Sequence, residues 1–218
     1  MNNLIKLCSI LQLTKDQPLT GYLLAGVKLG EVPTLAEHQY SAGLMGYLIS
    51  QKIKDAGGKI NERKVVLMLL VHDLSELFGG DIAAPLNRKY PELRVYKDKI
   101  GERAIDLLGS YMSGNAQKEF SLLWKEMEEG KTDEAVVVKI IDQMDHQLFL
   151  EHHNTKFKYR PGTEPDYREK FVKKHILSMT TKLQDLYTRN VMEAFLHEFF
   201  SNFYNKGFQS AMLMDEEE

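Results

Sequence analysis

An all-α fold is what this sequence predicts, and three observations predict it. No stretch sustains the period-2 alternation of a half-buried strand. Apolar residues recur instead at helical spacing through most of the chain, as at Val137, Ile140, Ile141, Met144 and Leu148. Between these runs stand residues that start and stop helices, among them Thr34, Asn61, Gly57-Gly58 and Gly130. No fixed-period repeat is visible.

In chain order, Leu4, Ile5, Leu7, Cys8 and Leu11 mark a first helix over Asn2–Leu13, ended before Pro18, with Cys8 read as a core residue. Gln17–Thr34 is loop-like, rich in glycine and proline, and a loop of that length in a compact domain is often functional. Thr34 with Glu37 forms a capping box that opens a helix over Leu35–Asp55, stopped by Gly57-Gly58. Asn61 caps the next, expected to run to about Phe78. After Asp81 a breaker-rich loop leads to helices over Tyr96–Met112 and Asn115–Glu129, the latter closed by Gly130. Thr132 or Asp133 caps a long amphipathic helix from Glu134 to about His153. A second breaker-rich loop precedes two helical segments, Tyr167–Leu186 and Asn190–Tyr204, and an acidic tail. The reading divides the chain into residues 1–160 and a helical extension over 161–218.

The balance of 28 Lys+Arg against 31 Asp+Glu, a net charge of -3, argues against nucleic acid as the main partner. One cysteine among 218 residues excludes an internal disulfide and fits a reducing compartment. No apolar run approaches the roughly 18–20 residues that span a bilayer, and no charged leader precedes the first apolar stretch. A cytoplasmic protein without membrane contact is the expectation.

The stretch that carries chemistry is Val65–Pro85. Seven apolar residues, Val65 to Val71, run straight into His72-Asp73, followed by Glu76 and Gly79-Gly80-Asp81. Such charges at the end of a buried helix are costly unless paired or bound to metal. On a continued helix Glu76 shares a face with His72 and Asp73, and the glycines turn Asp81 back toward the same place. His38 lies on the preceding core helix, where a lone histidine is more often a satisfied core residue, and Asp142 follows Ile140-Ile141 on an apolar face. Together they offer two imidazoles and two carboxylates from separate elements, the donor set a hard or borderline divalent cation takes.

The pattern H…HD…D, here His38, His72-Asp73 and Asp142, resembles the HD-domain metal-dependent phosphohydrolases. The surrounding TLAEHQYSAGLM, LVHDLSELFGGDIAAPL and VVVKIIDQMD resemble its small 5'-deoxynucleotidase-like branch, over roughly Thr20 to His153. The resemblance implies an HD-domain helical bundle and one divalent ion, its identity open among Mn, Fe, Co, Ni, Zn and Mg, held by His38, His72, Asp73 and Asp142. It implies that Glu76 handles a proton or orients the attacking water, and that Asp81 lies near that water and the nucleotide. It also implies hydrolysis of a small phosphorylated metabolite, a (deoxy)nucleoside 5'-monophosphate first, and a homodimer. The alternatives are a metal-containing nucleotide-binding or sensory module without turnover, and a hydrolase of phosphodiesters or nucleoside triphosphates.

The segment LTGYLLAGV departs from the branch, with Leu19 where its arginine is sought and Tyr22 where its tryptophan is. Lys28, Arg88 or Lys139 could supply the missing positive charge beside Tyr22, with Lys139 one turn before Asp142. His146, four residues after Asp142, is read as lying behind the ligands or at the surface. His197-Glu198 lacks the second histidine of a zincin, and no P-loop or nucleophile elbow is present.

Overall fold

The capping box at Thr34 forms as the sequence implies, and it sets the start of the helix around which the others pack. In a computed structural model of the chain, residues 1–81, 86, 89–153 and 172–204 are described. The Thr34 hydroxyl accepts from Glu37 N at 3.3 Å, and the Glu37 carboxylate accepts from Thr34 N at 2.7 Å. Helix α2 (Leu35–Asp55) follows with the expected bounds. It ends where Gly57 takes φ 90°, a left-handed backbone that glycine adopts without strain.

Asn61 caps α3 (Glu62–Val71) by accepting from Lys64 N at 3.1 Å. α2 and α3 cross closely because Gly46 has no side chain where Leu69 and Val65 press against it. Helix α6 (Asp133–His152), capped by Thr132, lies across both and buries Val137, Ile140, Ile141 and Met144 completely. Between them in sequence come α4 (Leu93–Gly109) and α5 (Gly114–Glu129), which pack on each other, α4 also on the His72–Glu76 turn and α5 on α3. Near the termini are α1 (Asn2–Ile10), α7 (Lys174–Thr180) and α8 (Leu186–Glu198). Asp133 accepts from Gln184 N and Asp185 N at 2.7 and 2.8 Å, fastening the C-terminal segment to the start of α6. Phe199, Phe200 and Tyr204, in and after a π turn at the end of α8, are buried and give the aromatic run a packing role.

No strand occurs among the described residues. The ends of the 17–34 loop are tied by single backbone bonds, Leu19 N to Pro33 O and Leu35 N to Gln17 O, both 2.9 Å. Leu19, Tyr22, Val27 and Val32 anchor that loop in the core. No described helix is long and apolar enough to cross a membrane.

The structure corrects several sequence expectations, and others fall outside the described residues; the helix expected over Tyr167–Leu186 ends at Thr180. The helix expected to run to Phe78 ends at Val71, and His72–Glu76 forms a tighter 3-10 turn. Val71 opens to φ -113°, and the His72 ring lies 2.8 Å from the Leu69 carbonyl, engaging by side chain a carbonyl of the last helical turn. Cys8 is exposed, not core, because the face of α1 that buries Leu7 turns it outward. The last helix starts at Leu186 instead of Asn190, since Asp185 accepts from Thr188 N at 2.8 Å and caps it earlier. The boundary at 160–161, the first part of the Tyr167–Leu186 helix and the acidic tail lie outside the described residues.

Candidate metal centre

His38 sits in the first turn of α2, and its imidazole is 1% exposed. His72 and Asp73 project from the 3-10 turn that follows α3, and Asp142 from the middle of α6. The crossing of these elements brings four donor atoms together. His38 Nε2 lies 3.2 Å from His72 Nε2, 3.2 Å from Asp142 Oδ1 and 3.5 Å from Asp73 Oδ2. His72 Nε2 lies 3.2 Å from Asp73 Oδ2 and 3.6 Å from Asp142 Oδ1.

The tautomers show what this cluster is suited to hold. His72 Nδ1 faces the Leu69 carbonyl, which can only accept, so Nδ1 carries the proton. His38 Nδ1 faces Asp145 Oδ2 at 2.6 Å, with the same consequence. Both neutral rings therefore turn the lone pair of Nε2 toward the other at 3.2 Å, with two carboxylates alongside. Lone pairs and anions at such range repel unless a cation lies among them. Without metal that cation is a proton. Burial works against charge on His38, but the Asp142 and Asp145 carboxylates outweigh it and push the imidazole up to about 9. Burial likewise opposes charge on His72, and Asp73 and Asp142 raise it well above the ordinary histidine value. Asp142 is lowered well below the carboxylate range, because His146, His38 and His72 outweigh its burial. A divalent cation satisfies the same electrostatic demand, and two imidazoles with two carboxylates suit Zn, Fe, Mn, Co or Ni.

Around these four stand Asp145 and His146, which the sequence reading missed or undervalued, and Tyr22, which it named. Asp145 holds the back of His38 and accepts from Ser41 Oγ at 2.5 Å. His146 is in the cluster: its Nε2 lies 3.2 Å from Asp142 Oδ1, and its ring stacks on His38 with centroids 4.9 Å apart. His38, Asp142 and His146 form a second set of donors close enough to share one ion. Tyr22 reaches in from the 17–34 loop and places its hydroxyl 2.5 Å from His146 Nδ1. The spacing of Asp142, Asp145 and His146 on one turn of a buried helix was the available signal.

Glu76 ends the 3-10 turn, and Asp81 follows Gly80, whose φ of 67° lets the chain reverse. Lys97 of α4 joins them: its ammonium is 3.2 Å from Glu76 Oε1 and pairs with Asp81. Burial, then the charges of Asp73 and Asp81, push the Glu76 carboxyl up to about 8 against the opposing pull of Lys97. Nothing local in the sequence marks Lys97, which meets these carboxylates only through the packing of α4.

The other cations expected at the site are placed differently. Lys139 Nζ donates to the Glu128 carbonyl at 2.9 Å, drawn to the negative C-terminal end of α5. Lys28 is exposed at the start of the short Leu29–Glu31 turn. The structure brings neither into contact with the cluster. Arg88 lies outside the described residues.

A model of the HD domain family matches residues 15–185. The 5'-deoxynucleotidase HDDC2 of Dictyostelium discoideum is 31% identical over 150 residues, covering 66% of this chain and 74% of its own length. The human protein of that name is 26% identical over 184 residues, covering 83% and 84%. Among solved structures, a conserved hypothetical protein from Pyrococcus furiosus superposes with a TM-score of 0.65 at 20% identity, over 89% of this chain and 97% of that one. A protein from Magnetospirillum magnetotacticum, described as a predicted metal-dependent phosphohydrolase, gives 0.58 at 17% identity, over 90% and 93%. These two share the fold. With a family match that takes in every donor of the cluster, the chain belongs to the HD domain family.

Proposed function

We propose that the protein is a metal-dependent phosphoric monoester hydrolase that removes the phosphate of (deoxy)nucleoside 5'-monophosphates. The observation that carries this reading is the pair of Nε2 lone pairs 3.2 Å apart, flanked by Asp73 and Asp142, with a raised carboxyl nearby at Glu76. The relatives named 5'-deoxynucleotidase support the substrate class. His38, His72, Asp73 and Asp142 would hold one divalent ion. Such an ion acts as a Lewis acid on a phosphoryl oxygen and makes water a better nucleophile.

The chain's own residues do the rest. Asp145 and the Leu69 carbonyl fix both imidazoles with Nε2 inward, so the ligand set is ready before the ion arrives. Glu76, held near 8, exchanges a proton close to neutral pH and suits the transfer between water and the departing 5'-oxygen. Asp81, fastened through Lys97 to Glu76, orients the nucleoside beside the reacting phosphorus. Tyr22, buried edge-on against His146 and tilted against Phe149, walls one side of the site. The exposed apolar stripe of α2, Tyr40, Leu44, Tyr47 and Leu48, supplies a face on which two copies can pair. The lone cysteine fits a reducing, cytoplasmic setting.

The test is hydrolysis of nucleoside mono-, di- and triphosphates and a generic phosphodiester by protein stripped of metal and refilled with Mn, Co, Mg or Zn. Turnover of the monophosphates that needs both metal and Asp73 is expected, with Asp73→Ala losing the two together. Silence across the whole panel by metal-loaded protein refutes the hydrolase reading and favours a nucleotide-sensing module. Hydrolysis confined to the diester or the triphosphates refutes the substrate assignment.

A further inference from the structure

Among the described residues, Lys97 is a cation paired with carboxylates of this site, and metal ligation makes no use of it. Lys97 is carried by α4 against the His72–Glu76 turn, and the approach is close because Gly101, one helical turn later, has no side chain. A Cβ there would come within 3.2 Å of Ser75 Cβ and 3.3 Å of the Trp124 ring. That contact fixes where Lys97 stands. Its ammonium is 3.2 Å from Glu76 Oε1 and bonds to Asp81 Oδ1. An ammonium has three donors, so these partners leave one for a group from solution. The Lys97 side chain is 36% exposed, which keeps that donor accessible.

Charge makes the same point. Asp73, Asp142, Asp145, Glu76 and Asp81 gather in one region of the protein. Even with Glu76 largely protonated near neutral pH, one divalent ion and Lys97 do not cancel the four aspartates, and a phosphomonoester brings further negative charge. Three other described cations are engaged elsewhere: Lys64 with Glu126, Arg63 with Glu119 and Lys139 with the Glu128 carbonyl. Burial opposes the charge on Lys97, but Glu76 and Asp81 outweigh it and hold the ammonium above its ordinary value, so it stays charged.

We infer that Lys97 is the phosphate-binding residue of this site, its ammonium braced by Glu76 and Asp81 and donating to a phosphoryl oxygen of the incoming monoester. The inference rests on the phosphohydrolase reading above and names the group that receives the substrate's charge.

The experiment titrates inorganic phosphate into metal-loaded protein by calorimetry, for wild type, Lys97→Met and Lys97→Arg, with metal content and melting temperature measured on each. Lys97→Met is expected to weaken phosphate about tenfold or more with metal content unchanged, and Lys97→Arg to keep most of the affinity. In turnover, the loss in Lys97→Met falls on KM. Phosphate affinity unchanged in Lys97→Met overturns the inference, as does a fall in kcat with KM and phosphate affinity intact. No phosphate binding by metal-loaded wild type overturns it too. Should Lys97→Met fail to fold or to take metal, Lys97→Gln is read by the same criteria. Wild type that binds phosphate but hydrolyses no nucleotide refutes the hydrolase reading, while the Lys97 comparison still stands or falls on the calorimetry.

Discussion

Replacing Asp145 removes the support behind His38 without touching a donor atom. The carboxylate accepts from His38 Nδ1 at 2.6 Å and from Ser41 Oγ at 2.5 Å. It keeps the imidazole proton on Nδ1 and the Nε2 lone pair aimed at His72 and Asp142. Carboxylates that back metal-bound histidines contribute roughly 10- to 100-fold in metal affinity, about 1.4–2.7 kcal/mol. The two ends of that range belong to two variants. Asp145→Asn keeps a carbonyl for Nδ1–H and turns its amide to the Ser41 hydroxyl, so only the charge is lost and the cost is about tenfold. Asp145→Ala loses both bonds and frees the ring to rotate, and its cost is nearer 100-fold. Competition with a chromogenic chelator, using Zn or Mn, measures both constants, and thermal melts of the metal-free proteins check the fold. Wild-type affinity in Asp145→Ala, or equal losses in the two variants, would refute the reasoning.

Metal binding is expected to strengthen with pH. The metal-free site holds His38 at about 9 and His72 well above its ordinary value, so near neutrality both carry protons that the ion must displace. Apparent affinity then rises by about tenfold per pH unit for each proton released and levels off above the histidine values. Calorimetry in buffers of different ionisation enthalpy counts those protons, and a flat profile contradicts the assignment. Two glycines on one helix give opposite signs. Gly46→Ala drives a Cβ into fully buried Leu69, and overpacking of roughly 2 kcal/mol outweighs about 1 kcal/mol of helix propensity. At Gly43 the nearest atom is Leu70 Cδ2 at 3.7 Å, so Gly43→Ala stabilises by up to about 1 kcal/mol; denaturant unfolding reads both. Thr34→Ala breaks the capping box at the start of α2 and costs about 1 kcal/mol in the same assay.

Much of the fold was legible because its signals are local. The bounds of α2 follow from Thr34 and Glu37 at one end and Gly57 at the other, each acting on atoms a few residues away. Thr132 fixes the start of α6 and Gly130 the end of α5 in the same way. His38, His72, Asp73 and Asp142 were legible as costly polar guests on apolar faces, and the helices do bring them together. The change to a 3-10 turn at His72 was not, because it depends on a side chain engaging the carbonyl of Leu69, which periodicity does not encode.

The groups behind the ligands were hidden for a different reason. Asp145 finds its role 107 positions away in His38, and Tyr22 finds His146 across 124. Lys97 gains its role from Gly101, which gives α4 its close seat on the His72–Glu76 turn. Helical spacing selected Lys139, one turn before Asp142, yet the Glu128 carbonyl at the end of α5 draws that ammonium away. A cation serves the phosphate only where packing seats its ammonium beside the reacting groups. Lys97 meets that condition because Glu76 and Asp81 hold its ammonium there and leave one of its three donors over, and this placement, read from packed helices, is what sequence spacing alone cannot supply.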